Sequence, residues 1–541
     1  MVGNTPEAKD LDCDVVVVGL GPVGLLMSIL LGRRGYRVIG IDRWPTPYPL
    51  PRAVTFDHEI ARILGDLGID SDNDPAIDYH DDHYLWINKD EEVLLEVDWI
   101  SKAKDGWRNR YWFDQPALED RFRLIASTLP NVTLFQATEC TGLEQDDEKV
   151  TITFAETESE GRTVIAKPGG RTGTITARYC LGADGANSYV RRSLGVDYTD
   201  LNFYYDWLVV DTTPKVYPQY KTAHYQMCVT PRPTTVVPGG PGNRRWEFML
   251  LPGETWEEME RPEKVWELLA PFGLDPAVDT LQRGVVWRFQ AKYLEKWNHG
   301  RVMLAGDAAH LMPPFAGEGM CAGLRDVFNL AWRLDLILRN QASDDLIDQW
   351  SDERRDHAKW YIDFCVGLAS VICMLDEDEM AARDERMKAE HAEQSKIGPV
   401  SPHEAVLGPG TWLDSDPLAG KPSVQSTVAY EGRSGKFDDV VARGWVLITS
   451  AAASGQTLSP DQMQTLESIG GKAVTIGLPG SGAQVIDVNG TTSSWMAEHG
   501  VHHMLVRPDF YLALTASDEA SLRNGFDSVM SAAGIKVAVP A

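Results

Sequence analysis

Paired cysteines, long apolar runs and an excess of basic residues are all missing from this sequence of 541 residues. Its seven cysteines are scattered and form no C-x-x-C pair, which indicates reduced intracellular thiols. No apolar run approaches the roughly 18 residues that a transmembrane helix needs, and the acidic first residues lack the apolar core of a signal peptide. We therefore expect a cytoplasmic protein without a membrane span.

The scarcity of basic residues limits the partners of the chain. It has 51 basic and 79 acidic residues, a net charge of −28. Because phosphate backbones are bound by basic surfaces, we expect no nucleic acid partner. We also find no internal repeat and no low-complexity segment, and we predict no metal site. The length is too great for one core, so two or three domains are expected.

What the sequence does contain begins with a β-α-β pattern between residues 13 and 42. The β-branched run from Val15 to Val18 predicts a buried parallel strand, and the pattern G-x-G-x-x-G follows at once. A helix over 25–35 and a second strand ending in Asp42 complete a dinucleotide-binding unit. The predicted contacts of this unit are Gly19, Gly21, Pro22, Val23, Gly24, Asp42 and Arg43.

Two later strands also end in a carboxylate beside a glycine. Asp184-Gly185 follows a predicted strand over 179–183, and Gly306-Asp307 follows the apolar run 302–305. In open α/β sheets ligands bind at the carboxyl ends of the strands. These carboxylates are therefore candidates for contacts with the same ligand.

The segment after Asp307 predicts a helix N-terminus with a bare backbone. Pro313-Pro314 stiffens a turn, and Gly317 and Gly319 remove side chains where a ligand approaches the backbone. Apolar residues at helical spacing follow as far as Leu334. Because a helix N-terminus favours negative charge, the segment suits a large polar cofactor with an anionic state.

The remaining segments outline the other domains. Residues 83–99 predict strands, 110–125 an aromatic start followed by a helix with Gln115 just before it, and 132–184 a β-meander. Residues 200–290 are rich in aromatic and β-branched residues and predict a mostly antiparallel sheet. Helices are expected over 343–392, a domain boundary over 395–435, and a small α/β domain over 436–541.

These motifs together resemble the class A FAD-dependent aromatic hydroxylases, the para-hydroxybenzoate and phenol hydroxylase superfamily. The likeness is greatest to the 3-(3-hydroxyphenyl)propionate and resorcinol hydroxylases. It implies an α/β fold with a Rossmann-like FAD domain in three pieces (1–80, 105–198 and 290–392). A mostly antiparallel β substrate domain (81–104 and 199–289) is inserted into it. A thioredoxin-like C-terminal domain (400–541) without C-x-x-C would follow.

The resemblance implies a role for each matching residue. The glycines 19, 21 and 24 would hold the FAD pyrophosphate, Asp42 the adenosine ribose, and Asp307 the ribityl chain. Arg52 would lie near the pyrophosphate and flavin, and Gln115 near the cofactor's linker. The carbonyl of Pro314 would face the substrate and the flavin. The full cofactor-binding set adds Asp184, Gly185, Gly306, Gly317, Gly319, Met320 and Cys321. Relatives have asparagine near Met320-Cys321, so a side-chain contribution there is an open question.

The family chemistry implies a monooxygenase reaction. NADPH or NADH, bound transiently, reduces FAD, and O2 then forms a flavin C4a-hydroperoxide that hydroxylates a phenolic ring. A base is expected near the substrate hydroxyl, and its candidates are His224, Tyr225, Tyr204 and Asp57. An arginine would anchor a substrate carboxylate, and its candidates are Arg232, Arg244, Arg245 and Arg288. His310 is expected to be structural or to lie in the surroundings of the cofactor, and a homodimer fits the family.

Three alternatives stay open at this stage. One is an FAD-dependent dehydrogenase or reductase of the same fold, and another is a hydroxylase of a larger polycyclic aromatic. The third is a non-catalytic flavin-binding sensor or partner-binding protein. The aromatic middle sheet and the Pro313-Pro314 turn favour the phenol hydroxylase.

Overall fold

The computed structural model describes residues 11–161, 163–216, 222–453, 455 and 457–535. The outermost ends of the predicted domains, 1–10 and 536–541, and residues 217–221 of the predicted substrate domain lie outside this description.

A nine-stranded sheet with a parallel centre forms the first layer of the fold. Cys13–Val18 lies between Val38–Ile41 and Thr172–Gly182, and every one of these pairings is parallel. Val132–Phe135 and Val302–Leu304 extend the parallel part on either side. The other strands are antiparallel: Thr138–Gln145, Val150–Glu160, Thr163–Ala166 and Asn298–His299. The carboxyl ends of the parallel strands, with Gly19, Asp42, Asp184 and Gly306 just beyond them, therefore meet at one edge.

Helices cover this sheet and bring the sequence motifs together. They are Pro22–Arg33, Gln115–Ser127, Tyr189–Ser193 and Gly319–Leu338. A Cβ on Gly323 would lie 2.7 Å from Val23 Cγ2, so the glycine lets the first and last of these helices pack closely. The glycine-rich turn and the segment after Asp307 are thereby held side by side.

The prediction for residues 110–125 was partly wrong. Arg110–Phe113 is a strand that pairs with Thr55–Asp57 and Ile77–Asp78. The helix begins at Gln115 itself, and Asp114 caps it by accepting a hydrogen bond from the Ala117 amide at 3.0 Å. The aromatic residues before the helix belong to β structure because they are buried between layers.

A second, eight-stranded sheet contains the aromatic segment of the sequence. All its pairings are antiparallel except that of Tyr225–Met227 with Tyr84–Ile87. The other strands are Val93–Val97, Thr199–Thr213, Thr234–Pro238, Arg244–Met249, Thr280–Tyr293 and His310–Leu311. One face, called here the inner face, contacts Phe315 through Trp207 and Phe289. The other, called the outer face, packs under the helices Trp256–Met259 and Pro262–Leu269.

The helix Gly319–Leu338 is followed by two long helices. They are Asp345–Ile372 and Glu377–Gln394. Ile372 and Cys373 pack in the same cluster as Trp207, so the end of the first helix helps to close the inner face of the second sheet. In the described part of the chain no single helix is long and apolar enough to cross a membrane. This pair passes that test only jointly, bent by 113°.

The C-terminal region folds on a seven-stranded sheet. Its strands are Thr427–Tyr430, Arg433–Lys436, Val446–Ser450, Lys472–Gly477, Val485–Asp487, His503–Val506 and Leu512–Ala516. The helices are Phe437–Val440, Pro460–Ser468, Thr491–Glu498 and Glu519–Ala532. Val446–Ser450, Lys472–Gly477 and Val485–Asp487 are parallel, and His503–Val506 runs against the first of them.

Candidate functional site

The three glycines of the first turn have different surroundings. Gly19 has a φ of +99°, and a Cβ there would lie 2.3 Å from the carbonyl oxygen of Ala183. A Cβ on Gly24 would lie 1.9 Å from the Gly19 oxygen. A Cβ on Gly21, by contrast, would meet only the Arg52 guanidinium, at 3.7 Å. Two glycines are therefore required by the protein's own packing, whereas Gly21 leaves room above the helix for a ligand.

Asp42 holds the glycine-rich turn in place. Its Oδ2 accepts a hydrogen bond from the Leu20 amide and its Oδ1 one from the Trp44 amide, both at 2.8 Å. The neighbouring Arg43 is exposed and stacks over the Trp44 ring at 5.6 Å. The ribose contact of Asp42 stays a prediction, since each carboxylate oxygen can accept a further bond.

Arg52 is a half-exposed cation beside the glycine-rich turn at Gly21. Its side chain is 50% exposed, and its nearest ion-pair partner, Glu119, lies at 3.9 Å. The Arg52 and Ala53 amides donate to Oε1 of Gln115 at 3.0 and 2.7 Å, and the Gln115 amide group donates to Glu119. Gln115 therefore positions the backbone at Arg52. The guanidinium is left over Gly21, where it suits an anionic group.

Asp184 offers a buried acceptor next to the same turn. Its Oδ2 accepts hydrogen bonds from the Tyr189 and Val190 amides at 2.7 and 3.1 Å. Its Oδ1 is buried and has no hydrogen-bond partner among the described residues. Burial raises the pKa of Asp184, although the bonds to Ser188 and the amides oppose the shift. Gly185, at φ +80°, leaves open space beside it.

Asp307 borders the space between the turn at Gly21, the Arg52 side chain and the start of the helix Gly319–Leu338, called here the recess. Its side chain is exposed, yet protein surrounds it closely enough that desolvation raises its pKa, with Arg52 and His310 acting in the opposite direction. Its main-chain oxygen accepts a hydrogen bond from the Tyr198 hydroxyl at 2.5 Å. An exposed carboxylate in a crowded recess is suited to bind the hydroxyl groups of a ligand.

The helix Gly319–Leu338 starts at this recess without a side-chain cap. Gly317 precedes it at φ +70°, and its amide donates to the Pro314 carbonyl at 2.8 Å. One lone pair of that carbonyl is therefore used by the turn, and the other can face a ligand. The amides at the start of the helix carry partial positive charge, and their contact with an anionic group stays a prediction.

Cys321 does not contribute a side chain to the recess. Its thiol is buried, lies 3.7 Å from the Gly317 carbonyl, and has a pKa well above the usual range because of burial. Met320 is partly buried and packs against the main core. The Cys321 thiol is therefore turned into the core, while the backbone amides of both residues and the partly exposed Met320 side chain stay predicted contacts.

A buried charge cluster lies beneath the helix start. Glu318 accepts hydrogen bonds from Arg110 at 3.2 Å and from Arg325 at 3.1 Å, and Arg325 also pairs with Asp57 and Glu59. Asp57, Glu318 and Cys321 come close enough to hold a metal ion, but Arg110 and Arg325 already contact Glu318, and Arg325 also contacts Asp57. This cluster supports the fold of the site.

Three of the proposed bases are in unsuitable places. Asp57 caps the helix His58–Asp66, and although burial opposes ionisation, Arg325 and its other positive neighbours hold its pKa below the usual range. Tyr225 packs in the outer-face cluster with Val236 and Trp246. Tyr204 is 43% exposed and bonds to Asp200. The sequence could not show these differences because neighbouring strand residues point to opposite faces.

His224 and His310 are both buried. His224 stacks on Trp112 at 5.4 Å and its Nε2 bonds to the Asp82 carbonyl at 2.6 Å. Burial lowers its pKa to about 3, so it is neutral, and its role as substrate base stays a prediction without a contact to the recess. His310 bonds to Asp326 at 2.8 Å, as expected for a structural residue.

The candidate anchors for a substrate carboxylate are largely occupied. Arg232 pairs with Glu254 and Arg288 with Asp206. Arg245 donates to Asp211 and to the carbonyls of Pro51 and Arg52 at 2.8–3.1 Å. Arg244 is buried on the face opposite to Arg245. Arg245 therefore ties the second sheet to the loop beside Gly21.

Glu247 was missed by the sequence analysis. It lies between Arg245 and Met249 in the alternating segment RRWEFM, where every second residue points to the inner face. The only large apolar residues at the other positions, Trp246 and Phe248, belong to the outer face. A lone acidic residue on an otherwise buried strand face is the feature that could have revealed it.

Comparison with known proteins places this geometry in a family. Residues 12–365 match the family described as FAD binding domain, and residues 420–529 match the HcaD C-terminal domain. A probable NADH-specific resorcinol 4-hydroxylase of Rhodococcus jostii is 32% identical over 96% of this chain and 94% of its own. A 3-(3-hydroxy-phenyl)propionate/3-hydroxycinnamic acid hydroxylase of Escherichia coli is 29% identical over 93% of this chain and 91% of its own.

Solved structures share the fold. A flavin-dependent monooxygenase, PieE, in complex with FAD and substrate has a TM-score of 0.76 at 20% identity, covering 96% of this chain and 98% of its own. Aklavinone-11 hydroxylase with FAD and aklavinone has a TM-score of 0.73 at 23% identity, covering 96% and 99%.

Proposed function

Because this chain belongs to the family of FAD-dependent aromatic hydroxylases, we propose that it hydroxylates a small, single-ring phenol with NADH and O2. Sequence relatives at about 30% identity are named for single-ring phenols, and one of them is named NADH-specific. These names favour a small substrate over the polycyclic aromatic considered from the sequence.

The residues of the recess fit FAD. When bound and reduced by a nicotinamide, FAD supplies the activation of O2 for ring hydroxylation. Gly21 and the start of the helix Pro22–Arg33 would hold the pyrophosphate, with Arg52 above it. Asp307 would bind the ribityl hydroxyls. The amides at Gly319 would favour negative charge on the reduced ring system.

One observation supports a hydroxylase above all. The inner face of the aromatic sheet is held over the recess at two points, by Arg245 on the loop at Arg52 and by Phe315 between Trp207 and Phe289. A mostly aromatic and aliphatic surface, with Glu247 at its centre, would then stand opposite the flavin ring. Such a wall orients an aromatic ring and excludes water, which a simple dehydrogenase does not need.

The test measures oxygen-dependent NADH oxidation by the FAD-loaded protein with and without a panel of phenols. We expect at least one single-ring phenol to stimulate oxidation and to yield a product with one more hydroxyl group, identified by mass spectrometry. Stimulation that yields only hydrogen peroxide, or none with any phenol, would overturn the hydroxylase assignment and favour the dehydrogenase alternative.

The finer points of organisation are proposals as well. We retain the substrate-domain boundaries, the thioredoxin-like C-terminal domain, the cytoplasmic location and the homodimer. Three parallel strands flanked by an antiparallel pair support a thioredoxin-like arrangement. Static light scattering of the loaded protein tests the dimer, and a monomer at micromolar concentration would exclude it.

A further inference from the structure

The inner face of the second sheet has one acidic residue at its centre. Neighbouring strands pair Asp211 with Arg245, Val209 with Glu247, and Trp207 with Met249. Rows of inward residues are about 7 Å apart, because a strand rises about 3.3 Å per residue. The Arg245 row contacts the loop at Arg52, and Trp207 contacts Phe315. The Glu247 row therefore lies between the two points where the sheet meets the cofactor region.

Glu247 has little to bind within the protein. Its side chain is 12% exposed, and Arg245 is its nearest ion-pair partner, at 3.9 Å. That arginine already donates to Asp211 and to two main-chain carbonyls. No hydrogen bond to the Glu247 carboxylate is formed by the residues that the structure describes. Burial raises its pKa, with Arg245 opposing the shift and Asp211 adding to it.

The surroundings of Glu247 are otherwise apolar or satisfied. Its cross-strand neighbour Val209 is buried, and its other neighbour, Thr235, donates its hydroxyl proton to Gln226 at 2.6 Å. A poorly hydrated carboxylate in such a place gains from any ligand that donates a hydrogen bond. A ligand carboxylate would instead face like charge, and four of the five N–H groups of Arg245 already donate to Asp211, Pro51 and Arg52.

We propose that Glu247 determines specificity for the ring substituent farthest from the reacting position: it accepts a hydrogen bond from a second ring hydroxyl and disfavours substituents that carry a carboxylate. The inference rests on the proposed function and narrows it to uncharged diphenols. Phenols with an acidic side chain would be poor substrates, although a relative named for such a compound shares 29% identity.

The experiment compares resorcinol, phenol and 3-(3-hydroxyphenyl)propionate as substrates of the FAD-loaded protein. The variants are Glu247→Leu, which removes the acceptor, and Glu247→Gln, which keeps an acceptor without charge. Asp206→Asn is the matched control, because Asp206 lies on a strand of the same sheet and pairs with the half-exposed Arg288. Each variant is characterised by kcat, KM and the dissociation constant from the substrate-induced change in flavin absorbance.

We expect Glu247→Leu to lower kcat/KM for resorcinol about tenfold or more, because one hydrogen bond is lost. The kcat/KM for phenol should stay within about threefold of the wild-type value. Glu247→Gln should keep kcat/KM for resorcinol within about threefold of wild type. It should raise kcat/KM for 3-(3-hydroxyphenyl)propionate at least about fivefold. The effects should appear in KM and in the dissociation constant, and Asp206→Asn should change none of the ratios.

The outcomes separate the two proposals. If the wild-type protein hydroxylates phenols but the ratio of kcat/KM for resorcinol to kcat/KM for phenol is unchanged from wild type in both Glu247 variants, the specificity role is wrong. The hydroxylase function then stands. If the wild-type protein hydroxylates no phenol, the function fails and the inference fails with it. A variant that misfolds is recognised by its FAD content, and the second Glu247 variant then decides.

Discussion

Gly19 and Gly21 belong to one motif, but glycine is required at each of them for a different reason. Gly19 adopts a left-handed conformation with a main-chain oxygen in the way of any side chain, whereas Gly21 has ordinary dihedral angles and open space. We therefore expect Gly19→Ala to destabilise the cofactor-free protein by about 2 kcal/mol or more. Gly21→Ala should leave that stability unchanged within about 0.5 kcal/mol but weaken FAD binding at least about tenfold.

Urea unfolding of the cofactor-free variants and fluorescence titration with FAD measure the two effects separately. Equal losses of stability in both variants would contradict the distinct roles, and so would unchanged FAD affinity in Gly21→Ala.

Asp307 provides the second test at the scale of a residue. Removal of its carboxylate in Asp307→Ala should lower FAD affinity about tenfold or more, since a hydrogen bond to a charged group contributes about 1.5–3 kcal/mol. Retention of FAD through dialysis is the measurement. Asp363→Ala, an exposed carboxylate paired with Lys359, serves as the control. Wild-type retention in Asp307→Ala would exclude its cofactor contact.

At the scale of an element, the start of the helix Gly319–Leu338 combines bare amides with a titrating neighbour. Burial and the adjacent Asp57 raise the pKa of Glu318 to about 7, against Arg325 and Arg110. The folded protein therefore holds a proton that the unfolded chain releases near pH 4.5. This contribution to stability is complete below that pH and is lost as the pH rises through about 7.

Glu318→Gln has no proton to lose, so its stability relative to wild type should increase between about pH 5.5 and about pH 8.5. The change should be about 2 kcal/mol, because about 1.5 pKa units of the shift lie within this pH window and one unit corresponds to about 1.4 kcal/mol. Thermal unfolding at the two pH values measures it, with the exposed Glu467→Gln as control. A difference in Tm that does not vary with pH would refute the raised pKa.

At the scale of the whole molecule, buried ion pairs attach the C-terminal region to the helices Gly319–Leu338 and Asp345–Ile372. Arg507 donates to both carboxylate oxygens of Glu353 at 2.9 Å, and Arg333 pairs with the same carboxylate at 2.7 Å. Asn329, on the helix that starts at the recess, donates to Asp509 at 2.7 Å. The C-terminal region therefore braces the helix that begins at Gly319.

Arg507→Ala should destabilise the protein by about 3–5 kcal/mol, because it leaves buried carboxylates with fewer partners. Arg523→Ala, which removes a half-exposed pair with Glu519, should cost less than about 1 kcal/mol. Urea unfolding compares the two variants. Similar losses in both would show that the buried network does not hold the regions together.

The same network gives the protein an acid limit. Although burial opposes ionisation, Arg333 and Arg507 hold the pKa of Glu353 at about 2. Its contribution to stability is therefore present above the ordinary pKa of a glutamate, about 4.5, and is lost as the pH falls from there towards 2.

The sequence by itself was enough to predict where the cofactor would bind. Strand ends, glycine spacing and helix starts are local features, so Gly19 to Gly24, Asp184-Gly185 and Gly306-Asp307 could be identified without knowing the fold. The structure adds that Val23 and Gly323 hold the first and last of these motifs together.

Only the tertiary structure decided which face of the aromatic sheet meets that site. Alternation along a strand defines two faces but does not say which of them is inside. Here the choice is made by contacts between distant segments, such as Arg245 with the carbonyl of Arg52 and Phe315 with Trp207. For that reason Tyr225, a candidate from the sequence, lies on the outer face, and Glu247, which the sequence analysis passed over, lies on the inner face.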